Sequence, residues 1–153
     1  MTAMTSALDL TQRPPRSPRL RLGGYAFLPR ILDKVRARNA GTAGEYRYGL
    51  KSMDRHFFGF TGIDPDAFQA AAKLAEGDGE MLAWIEANAK HRRQPWEINA
   101  WSAWLEARGP DSDAETLADF AADVGKFTTT REDIRTWFDL LDLDDYVTFG
   151  GKA

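Results

Sequence analysis

"LPRILDKVRARNAG", residues 28–41, decides the fold class. Leu28, Ile31, Leu32 and Val35 fall at i, i+3, i+4 and i+7, the spacing of one apolar helix face. Pro29 suits a first helical turn, where its missing N–H leaves nothing unpaired, and Gly41 suits the end. On another side Arg30, Lys34 and Arg38 form a basic stripe at i, i+4, i+8.

Toward the C-terminus the same period recurs. Ser52 is expected to cap a short helix carrying Met53, Phe57 and Phe60, ended by Gly62. Asp64-Pro65-Asp66 combines a cap, a first-turn proline and an acid near the positive end of the helix dipole, and that helix runs to about Leu74. Asp78 or Gly79 opens the next, with Leu82, Ile85 and Ala89 on one face, and Pro95 opens another, with Ile98, Trp101 and Leu105 inward. "SDAE", 112–115, reads as a capping box ahead of Leu117, Phe120, Ala121 and Val124. Thr130 is expected to cap the last helix, with Ile134, Trp137, Phe138 and Leu141 inward. About seven short helices without paired strands predict an all-α, compact, irregular bundle.

Toward the N-terminus the composition changes. Residues 1–12 are expected to be loosely held, and 13–153 form one helical domain that includes a basic arm, 13–22. The stretch "RPPRSPRLRLGGY", 13–25, carries four arginines and no acid, stiffened by Pro14, Pro15 and Pro18. Residues 13–38 hold eight basic residues against Asp33, whereas 109–153 hold eleven acidic and four basic, although the whole chain carries only -3. A basic front and an acidic back thus share one chain of 153 residues, the size of a single core.

Composition excludes several chemistries. The chain has no cysteine, so it has no disulfide scaffold, thiolate zinc site, iron–sulfur cluster or cysteine nucleophile. His56 and His91 are the only histidines and lack ligand spacing; no metal and no cofactor are expected. The ten residues from Asp142, "DLDDYVTFGG", lack the glycine of a calcium loop, and Ala153 stands where its glutamate belongs. There is no Walker loop and no nucleophile elbow. Residues 1–12 lack the charge and apolar block of a signal peptide, and no run approaches ~18 apolar residues, so the expected location is cytoplasmic with no membrane partner. Nucleic acid is disfavoured by the net negative charge and the absence of a recognition motif.

Read along "DLTQRPPRSPRLRLGGYAFLPRILDKVRARNAGTAGEY" (9–46), then "FGFTGID" (58–64), "LAWIEANA" (82–89), "WEINAWSAW" (96–104) and "FDLLDLDDYVTFGGK" (138–152), the sequence resembles a bacterial family catalogued as domain of unknown function 5069. The resemblance covers nearly the whole chain and implies no activity and no catalytic residue.

Two readings of the basic front remain. In one, the arm packs along its own acidic half: at least one of Arg13, Arg16, Arg19 or Arg21 pairs with a carboxylate of 133–145, and Leu20, Leu22 and Tyr25 are buried. In the other, Arg19, Arg21, Gly23, Gly24, Tyr25, Arg30, Asp33 and Lys34 form an anion site at a turn and a helix start. The functional expectation is a non-catalytic binding or regulatory module with an Arg-rich anion-binding surface, taking a small anionic ligand or an acidic protein partner. The alternative is an enzyme acting on a small phosphorylated or carboxylated metabolite, with Asp33 or Tyr25 moving the proton.

Overall fold

In the computed structural model, residues 8–110 and 113–153 are described. The helix that opened the sequence reading, α1 (Leu28–Ala40), lies at the centre of the molecule. Leu28, Ile31, Leu32 and Val35 are fully buried, as the spacing predicts, and so are Arg30, Asp33 and Lys34 on its other sides. The first two turns of α1 are buried on all sides, so the charges there must find partners indoors, whereas Arg38, the last of the basic stripe, is exposed. Gly41 ends it in the left-handed conformation (φ 74°), with its N–H on the carbonyls of Ala37 and Arg38.

Among the described residues six further helices follow it: α2 (Arg55–Thr61), α3 (Pro65–Leu74), α4 (Asp78–Asn88), α5 (Pro95–Ala107), α6 (Ala114–Gly125) and α7 (Trp137–Thr148). Phe57 sits amid an aromatic cluster, edge-on to Tyr25, Phe58 and Phe68 at 5.4–5.9 Å. Met81, Ile85, Leu105 and Phe138 close the core from α4, α5 and α7.

The fold is helix-dominated, with one correction. Arg21–Leu22 (β1) and Tyr25–Ala26 (β2) pair antiparallel, Leu22 opposite Tyr25, around a two-residue turn. Gly23 and Gly24 both have positive φ, 58° and 85°, the signature of the primed turn that matches strand twist. A Cβ on Gly23 would lie 2.5 Å from the end of the Leu82 side chain, which would have to shift, so the positive φ is the stronger reason for glycine here. Two-residue strands are too short to show alternation in sequence. Ser102, fully buried on α5, holds the hairpin: its hydroxyl accepts from Ala26 N–H (2.8 Å) and donates to the Gly24 carbonyl (2.6 Å).

Phe27 joins the hairpin to α1 at φ 74°, unusual for a residue with a side chain. Its ring stacks on Phe138 at 5.7 Å, and its N–H donates to the Pro18 and Leu20 carbonyls. Burial and these bonds hold a conformation that costs about 1–3 kcal/mol.

Other differences have local causes. Asp54, not Ser52, precedes α2, and its carboxylate turns inward to Lys34. The Ser52 hydroxyl braces the turn before it, donating to the Gly49 carbonyl. Asp113 caps α6, accepting from Thr116 N–H; the expected cap Ser112 lies outside the described residues. The last helix starts at Thr136 rather than Thr130, because Thr136 and Asp139 each accept the other's backbone N–H in a reciprocal capping box. That shift sends Phe138 to the core and leaves Trp137 half-buried, edge-on to Phe120 at 4.9 Å. Residues 1–7, part of the segment expected to be loosely held, lie outside the described residues; within 8–12 Leu10 is buried and its N–H donates to the Thr42 carbonyl. The arm packs through buried Pro15 and Pro18, whereas Leu20 is exposed.

Candidate functional site

The front of the molecule carries a belt of arginines, each tied to a carboxylate. Arg16 grips Asp33 with Nε and Nη2 (both 3.1 Å) and reaches Asp78 with Nη1 at 2.7 Å; Arg36 holds the other Asp78 oxygen at 2.8 Å. The hydrogen bond from Arg16, helped by Arg36, holds the Asp78 carboxyl below the usual carboxylate range. Arg19 pairs with Asp139 and, at 3.0 Å, with Asp142, which also accepts from the Ser17 hydroxyl. Arg21 meets Glu106 at 2.9 Å.

Two of these pairs are buried. Arg30 meets Asp145 at 2.7 Å, and the Tyr46 hydroxyl donates to the same carboxylate at 2.7 Å. Lys34 donates to Asp54 at 2.6 Å and to the Arg47 carbonyl at 2.9 Å. Burial lowers the Lys34 ammonium pKa, opposed by the charge of Asp54. Arg19, Arg21, Arg30, Asp33 and Lys34 therefore do not converge on one opening. The arm's pairing with residues 133–145 runs through Arg19, on the last helix and its cap.

Gly23, Gly24 and Tyr25 stand elsewhere, on the wall of a cleft of about 450 Å³. Its opposite sides are Glu86 on α4, Ile98 and Asn99 on α5, and the connection 89–95 between those helices. The turn lies close against α5: a Cβ on Gly24 would stand 3.2 Å from Asn99 Oδ1 and Ile98 Cγ2. The connection is seated on the end of α2, where His91 N–H donates to the Thr61 carbonyl, and Gly62 leaves room for Lys90 and His91.

Arg93 is fixed in that connection. Nε and Nη2 donate to the Phe60 carbonyl (3.3 and 3.2 Å), one of the open carbonyls at the end of α2. Its guanidinium lies 4.5 Å from the Phe60 ring centroid, and Phe60 in turn stacks on Trp101 at 4.9 Å. Nη1 remains, 3.8 Å from Glu97. Its neighbour Arg92 is exposed and makes no ion pair among the described residues.

Tyr25 is only 5% exposed, yet among the described residues its hydroxyl has no hydrogen-bond partner, and it is not one of the sealed-off polar atoms. Burial raises its pKa, the charge of Glu86 adds to this, and Arg93 opposes it. A buried phenol normally finds a partner; this one faces the cleft.

A second groove of about 310 Å³ lies beside Arg19, Arg131, Asp139 and Asp142, and its charges are paired within the protein. Among the described residues no group of His, Asp and Glu is placed to hold a metal ion, and no helix is long and apolar enough to cross a membrane.

Sequence reasoning found three of the cleft residues and missed Glu86, Arg92, Arg93 and Asn99. The signal for two of them was "HRRQP", 91–95, a basic run immediately before a proline-started helix. No curated protein matches the chain. Residues 12–147 match the family described as "Domain of unknown function (DUF5069)", and the chain, with its central α1 and the cleft beside the Gly-Gly turn, belongs to that family.

Proposed function

We propose that this protein is a non-catalytic binding module whose cleft at the Gly23-Gly24 turn takes the anionic group of a small ligand. The observation that carries the reading is the Tyr25 hydroxyl: a phenol on a buried residue, open to the cleft and without a protein partner. Arg92 supplies an unpaired cation to the same space, and Arg93 supplies one already held in place, which lowers the ordering cost of binding. A carboxylate or phosphate there gains charge-assisted hydrogen bonds from the arginines and a donor from Tyr25.

The arginine belt supports this reading by contrast, since its cations are already neutralised. An enzyme of the kind the sequence suggested would use Asp33 or Tyr25 as its acid–base group. Burial raises the Tyr25 pKa, away from neutrality, and Asp33 is engaged by Arg16.

The test is a thermal-shift series with small carboxylates, inorganic phosphate and sugar phosphates. A ligand at 100 times its Kd adds about 2.7 kcal/mol, which raises Tm by roughly 5–10 °C for a chain of this size. Arg92→Ala should abolish the rise and Tyr25→Phe should reduce it. No shift across the series, or an undiminished shift in Arg92→Ala, contradicts the proposal.

A further inference from the structure

The cleft that offers Arg92 to an anion also carries an acid. Glu86 lines the same space, is exposed, and makes no ion pair among the described residues. Glu86 and Arg92 would each gain by closing on the other, yet no pair forms within 4.0 Å. The two charges therefore stand more than 4.0 Å apart on the walls of one cleft. A ligand that is only an anion would be repelled by Glu86 as it is drawn to Arg92. A ligand carrying both signs satisfies both walls.

The remaining surfaces narrow the class. Ala89, Pro95 and Ile98 give the cleft an apolar side, while Asn99 offers both a donor and an acceptor beside the turn. Tyr25 can donate to a carboxylate or accept from an ammonium.

We infer that the ligand is a small ampholyte of the α-amino-acid type with an apolar side chain: carboxylate to Arg92 and Tyr25, ammonium to Glu86, side chain against Ile98 and Ala89. This rests on the anion-binding reading above and narrows it. The cleft volume of about 450 Å³ lies within the range of small-ligand pockets and accommodates one amino acid.

Calorimetric titration of the full chain at neutral pH tests it with three probes of one shape. Leucine has both charges, 4-methylpentanoate lacks the ammonium, and isopentylamine lacks the carboxylate. Leucine should bind at least tenfold tighter than either. In Glu86→Gln, an exposed position, leucine should fall to within twofold of 4-methylpentanoate, whose own affinity stays the same or improves. If 4-methylpentanoate equals leucine in the wild type, or Glu86→Gln leaves leucine unchanged, the ampholyte assignment is overturned while the anion site stands. If phosphate binds and leucine does not, the result is the same. If neither these probes nor any small carboxylate or phosphate binds, both readings fall together.

Discussion

The arginine belt and the cleft rim are both rich in charge, and they differ in what the charge touches. In the belt, Arg16, Arg19, Arg21, Arg30, Lys34 and Arg36 each meet a carboxylate of the same chain. At the rim, Arg92 and Glu86 share a cleft and have no partner among the described residues. The belt holds the arm and α7 onto α1; Arg92 and Glu86 at the rim hold nothing together. Charge density along a sequence thus locates structure here, and unpaired charge in space locates the candidate site.

The largest effect expected on this comparison lies in the buried part of the belt. Asp54→Ala leaves Lys34 charged in the core, and urea unfolding should show a loss of about 3–5 kcal/mol. Replacing both residues by apolar ones of similar size should recover most of that loss. If Asp54→Ala unfolds at the wild-type midpoint, the belt is not structural at its centre.

Ser102→Ala comes next and joins the two regions. It strips a partner from the Ala26 N–H and the Gly24 carbonyl, a cost of about 1–3 kcal/mol for buried groups left unpaired. The same change loosens the turn that walls the cleft, so ligand affinity should fall with stability. Loss of stability with full affinity would separate the hairpin from the site.

A smaller effect depends on pH. His56 packs edge-on to Trp104 at 5.5 Å, its Nε2 is buried without a partner, and burial pushes its pKa down to about 4. The unfolded histidine titrates near about 6.5. Between these values the unfolded state binds the extra proton, so stability falls as pH drops from about 6.5 to 4. His56→Phe should flatten that part of the profile, and a histidine NMR titration should find His56 still neutral at pH 5.5. An unchanged profile would mean that His56 is solvated. Arg19→Ala should cost least, about 0–1 kcal/mol in urea unfolding, because its pairs lie at the surface; a loss above 2 kcal/mol would make the outer belt structural too.

What the sequence made legible was local. Gly41, Gly62 and the Asp64-Pro65 pair end or start helices through their own backbone and side-chain chemistry, so neighbours along the chain suffice to read them. Thr130 misled because Thr130 and Asp133 have the same box spacing as Thr136 and Asp139; only the second pair closes a box, while Asp133 is held by Arg131. The basic stripe of α1 looked like surface because helix periodicity cannot tell which charges meet partners 20 or 115 residues away, as Lys34 and Arg30 do. The cleft was least legible of all: Tyr25, Glu86 and Arg92 come from three separate segments, and only the fold brings them together.

The account's central claim is that binding lives in the unpaired rim and not in the arginine belt. Calorimetric titration of one small carboxylate, 4-methylpentanoate or a tighter hit from the thermal-shift series, into Arg92→Ala and Arg19→Ala tests it directly. The account predicts at least a tenfold loss of affinity in Arg92→Ala and wild-type affinity in Arg19→Ala. The reverse pattern, with Arg19→Ala weakened and Arg92→Ala unchanged, would return the site to the basic arm and contradict it.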